Sequence, residues 1–427
     1  MIKRILTDAR LGEQCVYAVH ESGLKILICP KPEFATAYAL FGTRYGSIDT
    51  RFRIKGEDTF TEVPEGIAHF LEHKLFESEE GDAFTRFSKT GGYANAYTSF
   101  DRTCYLFSCT ERFDENLDIL LDFVRHPYFT EATVQKEQGI IGQEIRMYDD
   151  DPNWCCFFNL LCSMYIEHPV RIDIAGTVES IAQINADLLY KCYNTFYNPS
   201  NMFLCIAGAV DADSVLSKVE QVMQGAVGVG IERGTFNEQR GVLNARVEKQ
   251  MQVSMPLFSM GYKEPCEPPE KSLKEKIETD IALEMLAGKS SRLYNNLLER
   301  GLINDRFDAS YFTGHGYAVE IFEGESTDPE AVAAALAEEL ERVRTLGVDS
   351  EEFTRAKNAL YGRNIMMYNS VERVASSLVT AAMEGFDPFD VQKIYETVTV
   401  QDIQDRFATQ FRPDCFAMSV INPVKEG

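Results

Sequence analysis

The chain has 427 residues and a formal net charge of −24, with 45% hydrophobic and 25% charged residues. This apolar content is enough for sizeable cores, and at about 100–200 residues per domain we expect two to four domains. The acidic balance excludes a nucleic-acid binder, which needs clustered Lys and Arg to displace counterions. A solvated acidic surface is the simplest interpretation, with attraction of basic peptides as the alternative.

Cysteine usage and hydropathy indicate the compartment. The eleven cysteines are scattered, Cys155–Cys156 is the only adjacent pair, and no CxxC motif occurs. A zinc ribbon or thioredoxin-like motif therefore has no support. The sequence starts without an apolar run of signal-peptide length, and no apolar stretch approaches the roughly 20 residues that a membrane span needs. We expect a cytoplasmic protein with reduced thiols and with no nucleic-acid or membrane partner.

The first half of the chain reads as strands followed by helices. Residues 24–30 and 36–48 predict strands, and the alternating residues 94–110 predict one long strand. Residues 113–127 and 130–150 predict helices, the first closed by a proline and the second opened by a threonine. Strands in a run followed by helices indicate an α+β fold, with helices packed on one face of an antiparallel sheet.

Between the early strands lies the segment GIAHFLEHKLFE, which contains an HxxEH pattern. His69 and His73 are four residues apart, so on a helix they lie on one face and can hold one ion together. Glu72 borders that face, where its carboxylate can reach a metal-bound water without being a ligand. Pro64 and Glu65 suit the first turn of this helix. The pattern predicts a metal site rather than a pair of structural imidazoles.

A catalytic zinc ion usually has three protein ligands, so a third is needed from elsewhere in the chain. Glu137 and Glu144 are seven residues apart, and on a helix they point the same way. Spacing alone favours a plain charged helix face as the explanation and leaves Glu144 open as a ligand. The remaining histidines have no supporting pattern: His20, His126, His168 and His315.

The two halves of the chain share a weak pattern. Segments that begin at Glu179 and Glu396 both read as an amphipathic helix, a Pro turn and an apolar strand. Helix–Pro–strand is common in mixed folds, but the equal lengths and common endings favour a duplication. We expect an N-terminal α+β domain with the metal site over residues 1–224 and a Gly-rich linker over 225–241. A similar, non-catalytic α+β domain follows over residues 242–427.

The HxxEH motif resembles the inverted zinc motif of the M16 metallopeptidases, which include pitrilysin, insulysin and mitochondrial processing peptidase. GGYANAYTSFDRTCY, from Gly91, is similar to that family's Gly-Gly segment leading into Asn-Ala-x-Thr. The helix with two glutamates and its continuation EIRMYDDDPNW also resemble the family, as does LAGKSSRLYNNLLERG in the second half. The segment PKPEFATAYALFGTRYGSID looks most like a bacterial subgroup that occurs as paired subunits.

The resemblance implies roles for individual residues. His69 and His73 match the two histidine ligands of Zn²⁺, and Glu144 matches the third ligand. Glu72 matches the general base, and Glu137 matches a glutamate that supports the site from behind the ligands. Ligation by two histidines and one glutamate favours zinc, although manganese or cobalt could substitute.

The resemblance also implies a substrate-binding strand and an architecture. Asn95 and Ala96 lie where the family's edge strand meets the substrate backbone, although a plain internal strand is the alternative reading of this segment. The fold resembles two similar α+β domains, which together form one half of a clamshell. Two such halves close around a chamber that admits peptides or unfolded segments.

One departure from the family concerns the second half. Active relatives carry an Arg and, seven residues later, a Tyr that help to bind the scissile carbonyl region, whereas our alignment puts Leu298 and Asp305 there. Arg300 and Arg306 lie nearby, without a suitable Tyr. We therefore expect a dimer, either a homodimer or a heterodimer with a paralogue that supplies the pair. The predicted function is a zinc-dependent endopeptidase. The alternative is a non-catalytic subunit of the same fold that serves assembly or peptide binding.

Overall fold

The computed structural model describes residues 1–79, 81–265, 267 and 270–424. These residues form two compact units, and each unit is assembled from three stretches of the chain. Unit 1 comprises Met1–Ile145, Asp173–Thr235 and Ile365–Asp390. Unit 2 comprises Arg146–Ile172, Phe236–Asn364 and the chain from Val391.

Both units contain strands and helices. The strands are β1 Ile2–Asp8, β2 Glu13–Val19, β3 Lys25–Pro30, β4 Ala37–Thr43, β5 Arg51–Ile54, β6 Thr61–Glu62, β7 Glu77–Ser78, β8 Gly81–Asp82, β9 Tyr93–Thr98, β10 Thr103–Cys109, β11 Met202–Gly208, β12 Ile231–Arg233, β13 Arg246–Met251, β14 Leu257–Lys263, β15 Asp308–Gly314, β16 Tyr317–Glu325 and β17 Phe416–Pro423. The α-helices are α1 Ile67–Leu75, α2 Ala83–Thr90, α3 Phe113–Phe123, α4 Glu131–Asp149, α5 Pro152–Met164, α6 Val178–Ile181, α7 Ala186–Phe196, α8 Ala212–Val222, α9 Leu273–Ala287, α10 Arg292–Glu299, α11 Pro329–Leu346, α12 Ser350–Met366, α13 Val371–Glu384, α14 Asp390–Thr397 and α15 Val400–Thr409. Short 3₁₀ turns occur at Pro169–Arg171, Pro199–Asn201, Met367–Asn369 and Pro413–Cys415. Within the described ranges, none of the helices combines the length and the apolar character needed to cross a membrane.

Unit 1 is built around a seven-stranded sheet with the order β1-β2-β3-β11-β4-β10-β9. β3 and β11 run parallel, and the other neighbouring pairs run antiparallel. One face of this sheet packs against helices α1, α2, α3, α4, α7 and α8 in the main hydrophobic core. Phe41 and Tyr105 of the sheet and Phe70 and Leu120 of the helices are fully buried there. This core fixes the helices that carry the candidate site.

Unit 2 repeats the plan of unit 1. Its five-stranded sheet has the order β13-β17-β14-β16-β15, which matches β3-β11-β4-β10-β9. β13 and β17 run parallel and the other neighbours run antiparallel, as in the matching strands of unit 1. Pro199 and Pro413 each begin a 3₁₀ turn directly before the strand at the matching position. The α+β class and the similarity of the two sheets agree with the prediction.

The long strand predicted over residues 94–110 is wrong, because the segment forms a hairpin. β9 and β10 pair antiparallel, with Thr98 opposite Thr103. The backbone N–H of Ser99 donates to the carbonyl of Arg102 at 2.8 Å and closes the turn. Alternation of side chains continues through this short turn, so periodicity did not reveal it.

Helices pack on both faces of the seven-stranded and the five-stranded sheet, whereas the sequence predicted helices on one face. In unit 1, α13 lies on the second face, where Leu378 packs among Leu27, Leu40 and Phe203. In unit 2, α5 lies on the strands β17 and β14, and Cys156 packs against Leu257. The physical reason is visible in β4 and β11, which are buried along their whole length. Strands buried on both faces read as continuous apolar runs and need a second covering layer.

The sequence predicted domains over residues 1–224 and 242–427, and that domain assignment stays a prediction. The two compact units of the structure are divided at other points of the chain. The stretch Ile365–Asp390 belongs to unit 1, and Arg146–Ile172 belongs to unit 2. Part of the predicted linker 225–241 is a strand, since β12 pairs with β5. Arg233 at its end forms an ion pair with the buried Asp49, with 2.6 Å between Nε and Oδ1.

The covering role of α13 predicts a large loss of stability for Leu378→Ala. Leu378 is 2% exposed, and truncation of a buried leucine costs about 2–5 kcal/mol. The matched control is Leu346→Ala, because Leu346 is 74% exposed in α11 and its truncation removes little buried surface. Urea and thermal unfolding of both variants measure the difference. Equal free energies of unfolding for the two variants would contradict the covering role.

Candidate metal centre

The two histidines of the HxxEH pattern are positioned by α1, which begins after Gly66. Gly66 has φ 85°, and a Cβ atom there would lie 2.3 Å from the carbonyl oxygen of Ala175, so only glycine fits. Pro64 and Glu65 precede the helix, and their predicted place in its first turn is wrong. The Ser180 hydroxyl donates to the Glu65 carbonyl at 2.9 Å and anchors the chain where it enters α1.

α1 and α4 bring three predicted ligands together. Nε2 of His69 lies 3.7 Å from Oε1 of Glu144, and Nε2 of His73 lies 3.5 Å from Oε2. The three ligand atoms all lie within 4.8 Å of one another. Ligand atoms about 2.0–2.2 Å from a tetrahedral zinc ion are about 3.4 Å apart, so this donor set fits a zinc-sized ion.

Glu137 contacts the site from behind His73. Its Oε1 accepts a hydrogen bond from Nδ1 of His73 at 3.0 Å, which leaves Nε2 directed toward Glu144. Burial raises the pKa of Glu137, but the hydrogen bond and charge of His73 outweigh it and hold the pKa below its ordinary value. Burial lowers the pKa of His73, but the hydrogen bond to Glu137 and the charges of Glu72 and Glu144 together outweigh it and raise the pKa of that imidazole. A carboxylate in this position fixes the tautomer of the histidine.

His69 is held in the form that a metal ligand requires. Burial, and after it the neighbouring His73, lowers the pKa of His69 to about 3, so the imidazole is neutral. The two rings meet edge to face with centroids 4.6 Å apart. Among the described residues, Nδ1 of His69 is buried without a hydrogen-bond partner.

Glu72 lies on the same helix and is 8% exposed. Its Oε2 accepts a hydrogen bond from the Thr98 hydroxyl at 2.9 Å. Burial raises the pKa of Glu72 above its ordinary value. The sequence analysis did not assign a role to Thr98. Thr98 is the last residue of the Asn-Ala-x-Thr segment, but nothing in that segment indicates which group its hydroxyl contacts.

Asn95 and Ala96 lie in β9, which is the edge strand of the unit 1 sheet. β9 pairs with β10 along one side. The side chain of Asn95 is exposed, and its Oδ1 accepts from the backbone N–H of Ala96 at 2.9 Å. The edge position makes strand addition geometrically possible, and the substrate-binding role of the two residues stays a prediction.

The four isolated histidines have other contacts. Nδ1 of His20 lies 2.8 Å from the Ser22 hydroxyl, and Nδ1 of His126 lies 2.8 Å from a backbone carbonyl on α3. Nε2 of His168 lies 3.0 Å from the carbonyl of His315. None of them belongs to the cluster of possible ligands found among the described residues.

The second-half positions that depart from the family are also defined. Leu298 is 45% exposed near the end of α10, and Asp305 lies in the turn that follows. Nη1 of Arg306 lies 2.6 Å from Glu325, and Arg300 donates to the side chain of Asn296. These contacts assign both arginines to local interactions within unit 2.

Two family models match the chain. The Insulinase (Peptidase family M16) model matches residues 60–178, and the Peptidase M16 inactive domain model matches residues 183–360. The first covers α1 and α4, which carry all three possible ligands.

Relatives match over the whole chain. A Bacillus subtilis protein named uncharacterized zinc protease YmfH is 41% identical, over 99% of this chain and 100% of its own length. The crystal structure of an M16-like peptidase from Alicyclobacillus acidocaldarius is 36% identical, with a TM-score of 0.92 over 98% of this chain and 100% of that one. A Helicobacter pylori protease at 20% identity, with a TM-score of 0.82 over 95% and 99% of the two chains, shares the fold. The chain belongs to the M16 peptidase family.

Proposed function

We propose that this chain is a zinc-dependent endopeptidase that hydrolyses peptides or unfolded segments. The observation that carries the proposal is the convergence of His69, His73 and Glu144, whose ligand atoms lie within 4.8 Å of one another. The name zinc protease, borne by the Bacillus subtilis relative, supports it. Two imidazoles and one carboxylate form a ligand set typical of catalytic zinc, which leaves a position open for water.

His69, His73 and Glu144 would hold the ion, and Glu137 would keep His73 oriented through its hydrogen bond. When bound, zinc supplies a Lewis acid that makes water a nucleophile near neutral pH. Glu72 takes a proton from the attacking water and passes it to the leaving amine. Burial favours proton uptake by this carboxyl, which suits a group that must carry the proton between the two steps.

The edge strand β9 would bind the substrate. An extended peptide that adds to the free edge of β9 beside Asn95 and Ala96 makes main-chain hydrogen bonds with the strand, which gives affinity without strict sequence choice. The exposed edge of the sheet in unit 1 supports this role. Within the family architecture, a closed chamber would limit substrates to peptides and unfolded segments.

We further propose a dimer in which a partner subunit supplies the missing Arg and Tyr. Leu298 and Asp305 occupy the matching positions here, and Arg300 and Arg306 are engaged locally. A second copy would give a homodimer that still lacks the pair, so a paralogue is the partner that can supply it. We expect the assembly to work in the cytoplasm, with reduced thiols.

The lack of the Arg and Tyr pair favours one second candidate, a non-catalytic subunit that serves assembly or peptide binding. Oxyanion charge would then lack donors in this chain. The intact HxxEH pattern and its converging ligands favour the enzyme. Turnover of peptides by the zinc-loaded protein together with its paralogue, lost in Glu72→Gln, separates the two candidates.

The metal site predicts that Glu144→Ala loses zinc. Removal of one of three ligands leaves two imidazoles, which hold zinc much more weakly. The control is Asp149→Ala, an exposed carboxylate on the same helix. Metal analysis of the purified proteins measures the stoichiometry. Normal zinc content in Glu144→Ala would show that the third ligand is elsewhere.

If Glu72 is the general base, the variant Glu72→Gln should retain zinc and lose turnover. The variant keeps the ligands and removes the proton acceptor, so kcat should fall by about 10²–10⁴-fold. Glu65→Gln, just before α1, is the matched control with unchanged turnover expected. Cleavage of a mixed peptide library, followed by mass spectrometry, gives the rates. Retained turnover in Glu72→Gln would remove the base from the mechanism.

If a partner subunit supplies the Arg and Tyr, a co-encoded paralogue should raise the peptidase activity of this chain. The isolated chain should cleave peptides poorly, and addition of the paralogue should raise kcat because the partner supplies donors for the oxyanion. A paralogue without its Arg and Tyr is the control. Full activity of the isolated chain would contradict the need for a partner.

A further inference from the structure

We propose that Thr98 is a positioning residue, which ties the Glu72 carboxylate to the strand on which a peptide would lie. The inference rests on the proposed function, because it assigns a role within the same site. The geometry that carries it is the 2.9 Å hydrogen bond from the Thr98 hydroxyl to Oε2 of Glu72.

Glu72 needs such an anchor because its side chain has three rotatable bonds and is almost fully buried. Over the part of the chain that the structure describes, Thr98 is the hydrogen-bond donor to its carboxylate. A hydrogen bond to one oxygen restricts rotation and leaves Oε1 to handle the proton. An unanchored carboxylate would occupy several rotamers, of which only some could reach a water between the ligands.

Thr98 is itself held firmly. It is the last residue of β9 and pairs in register with Thr103, which is fully buried. The Thr103 hydroxyl donates to the carbonyl of Tyr45 at 2.9 Å and lies 3.3 Å from the Thr98 hydroxyl. Because Thr103 donates its single proton to Tyr45, it cannot donate to the Thr98 hydroxyl and can only accept from it. The Thr98 hydroxyl also has one proton, and its 2.9 Å contact with the Glu72 carboxylate is shorter than its 3.3 Å contact with Thr103, which favours Glu72 as the acceptor.

The same strand would bind the substrate. Ala94 and Ala96 pack against the main core, and Thr98 follows them on that face of β9. A peptide added to the edge of β9 would take its register from this strand. The hydrogen bond from Thr98 would then fix the position of the Glu72 carboxylate relative to the bound peptide, because Thr98 belongs to the strand that binds the peptide.

The experiment compares Thr98→Val with Thr98→Ser in the zinc-loaded chain, together with its paralogue. Valine keeps the branched shape that suits a strand and removes the hydroxyl, whereas serine keeps the hydroxyl. We expect kcat to fall by about 10- to 100-fold in Thr98→Val, with KM and zinc content unchanged. Thr98→Ser should stay within about 3-fold of the parent kcat, since the donor remains. An unchanged kcat in Thr98→Val, or an equal loss in Thr98→Ser, would overturn the role.

Crystal structures of the two variants give a readout that is independent of turnover. We expect Glu72 to leave its parent rotamer in Thr98→Val and to keep it in Thr98→Ser. A Glu72 side chain that stays in place in Thr98→Val overturns the inference, whatever the activity. If Glu72 moves as expected but the parent protein with its paralogue cleaves nothing, the proposed function fails while the positioning role stands.

Discussion

The candidate site depends on the common hydrophobic core that places α1 and α4 next to the same site. The histidines come from one helix and both glutamates from the other, so no ligand set exists until the core of unit 1 has formed. The 3.0 Å contact between His73 and Glu137 is a direct hydrogen bond between the two helices. At the start of α1, the close approach of Gly66 to the backbone of Ala175 fixes where the helix begins. Small changes in this packing would separate ligand atoms that are now less than 4.8 Å apart.

Unit 2 shows what the same plan yields where its described residues form no cluster of possible metal ligands. Glu144 lies seven residues before Asp151, the N-cap of α5, and Arg363 lies seven residues before Ser370, the N-cap of α13. Arg363 forms an ion pair with Glu284 of α9, the first helix after the central strand. Fourteen residues before the same caps, Glu137 is matched by Ala356. A guanidinium at the position of the third ligand repels a cation, and its pairing with a carboxylate satisfies both charges.

Sequence reasoning reached the parts of the site that local geometry sets. The spacing of His69 and His73 is enough to put both on one helix face, since helical periodicity is fixed. The spacing of Glu137 and Glu144 gave their common direction but not which helix they would face, and only the family resemblance chose Glu144. The turn after Thr98 stayed hidden because alternation runs through it. The Thr98 contact with Glu72 depends on tertiary packing between β9 and α1, for which the sequence carries no periodic signal.

The predicted domains over residues 1–224 and 242–427 differ from the compact units because tertiary packing again decides the outcome. Periodicity shows that α13 has an apolar face, but not which sheet that face will cover. α13 follows the whole second sheet except its last strand, yet it covers Leu27, Leu40 and Phe203 of unit 1. A chain truncated within residues 225–241 would lack α13 and would leave these side chains facing water. Exposure of apolar surface costs a free energy of about 25 cal/mol for each Å². The fold of the ligand-bearing unit therefore requires a helix from the far end of the chain, and sequence contiguity is a poor guide to what must fold together.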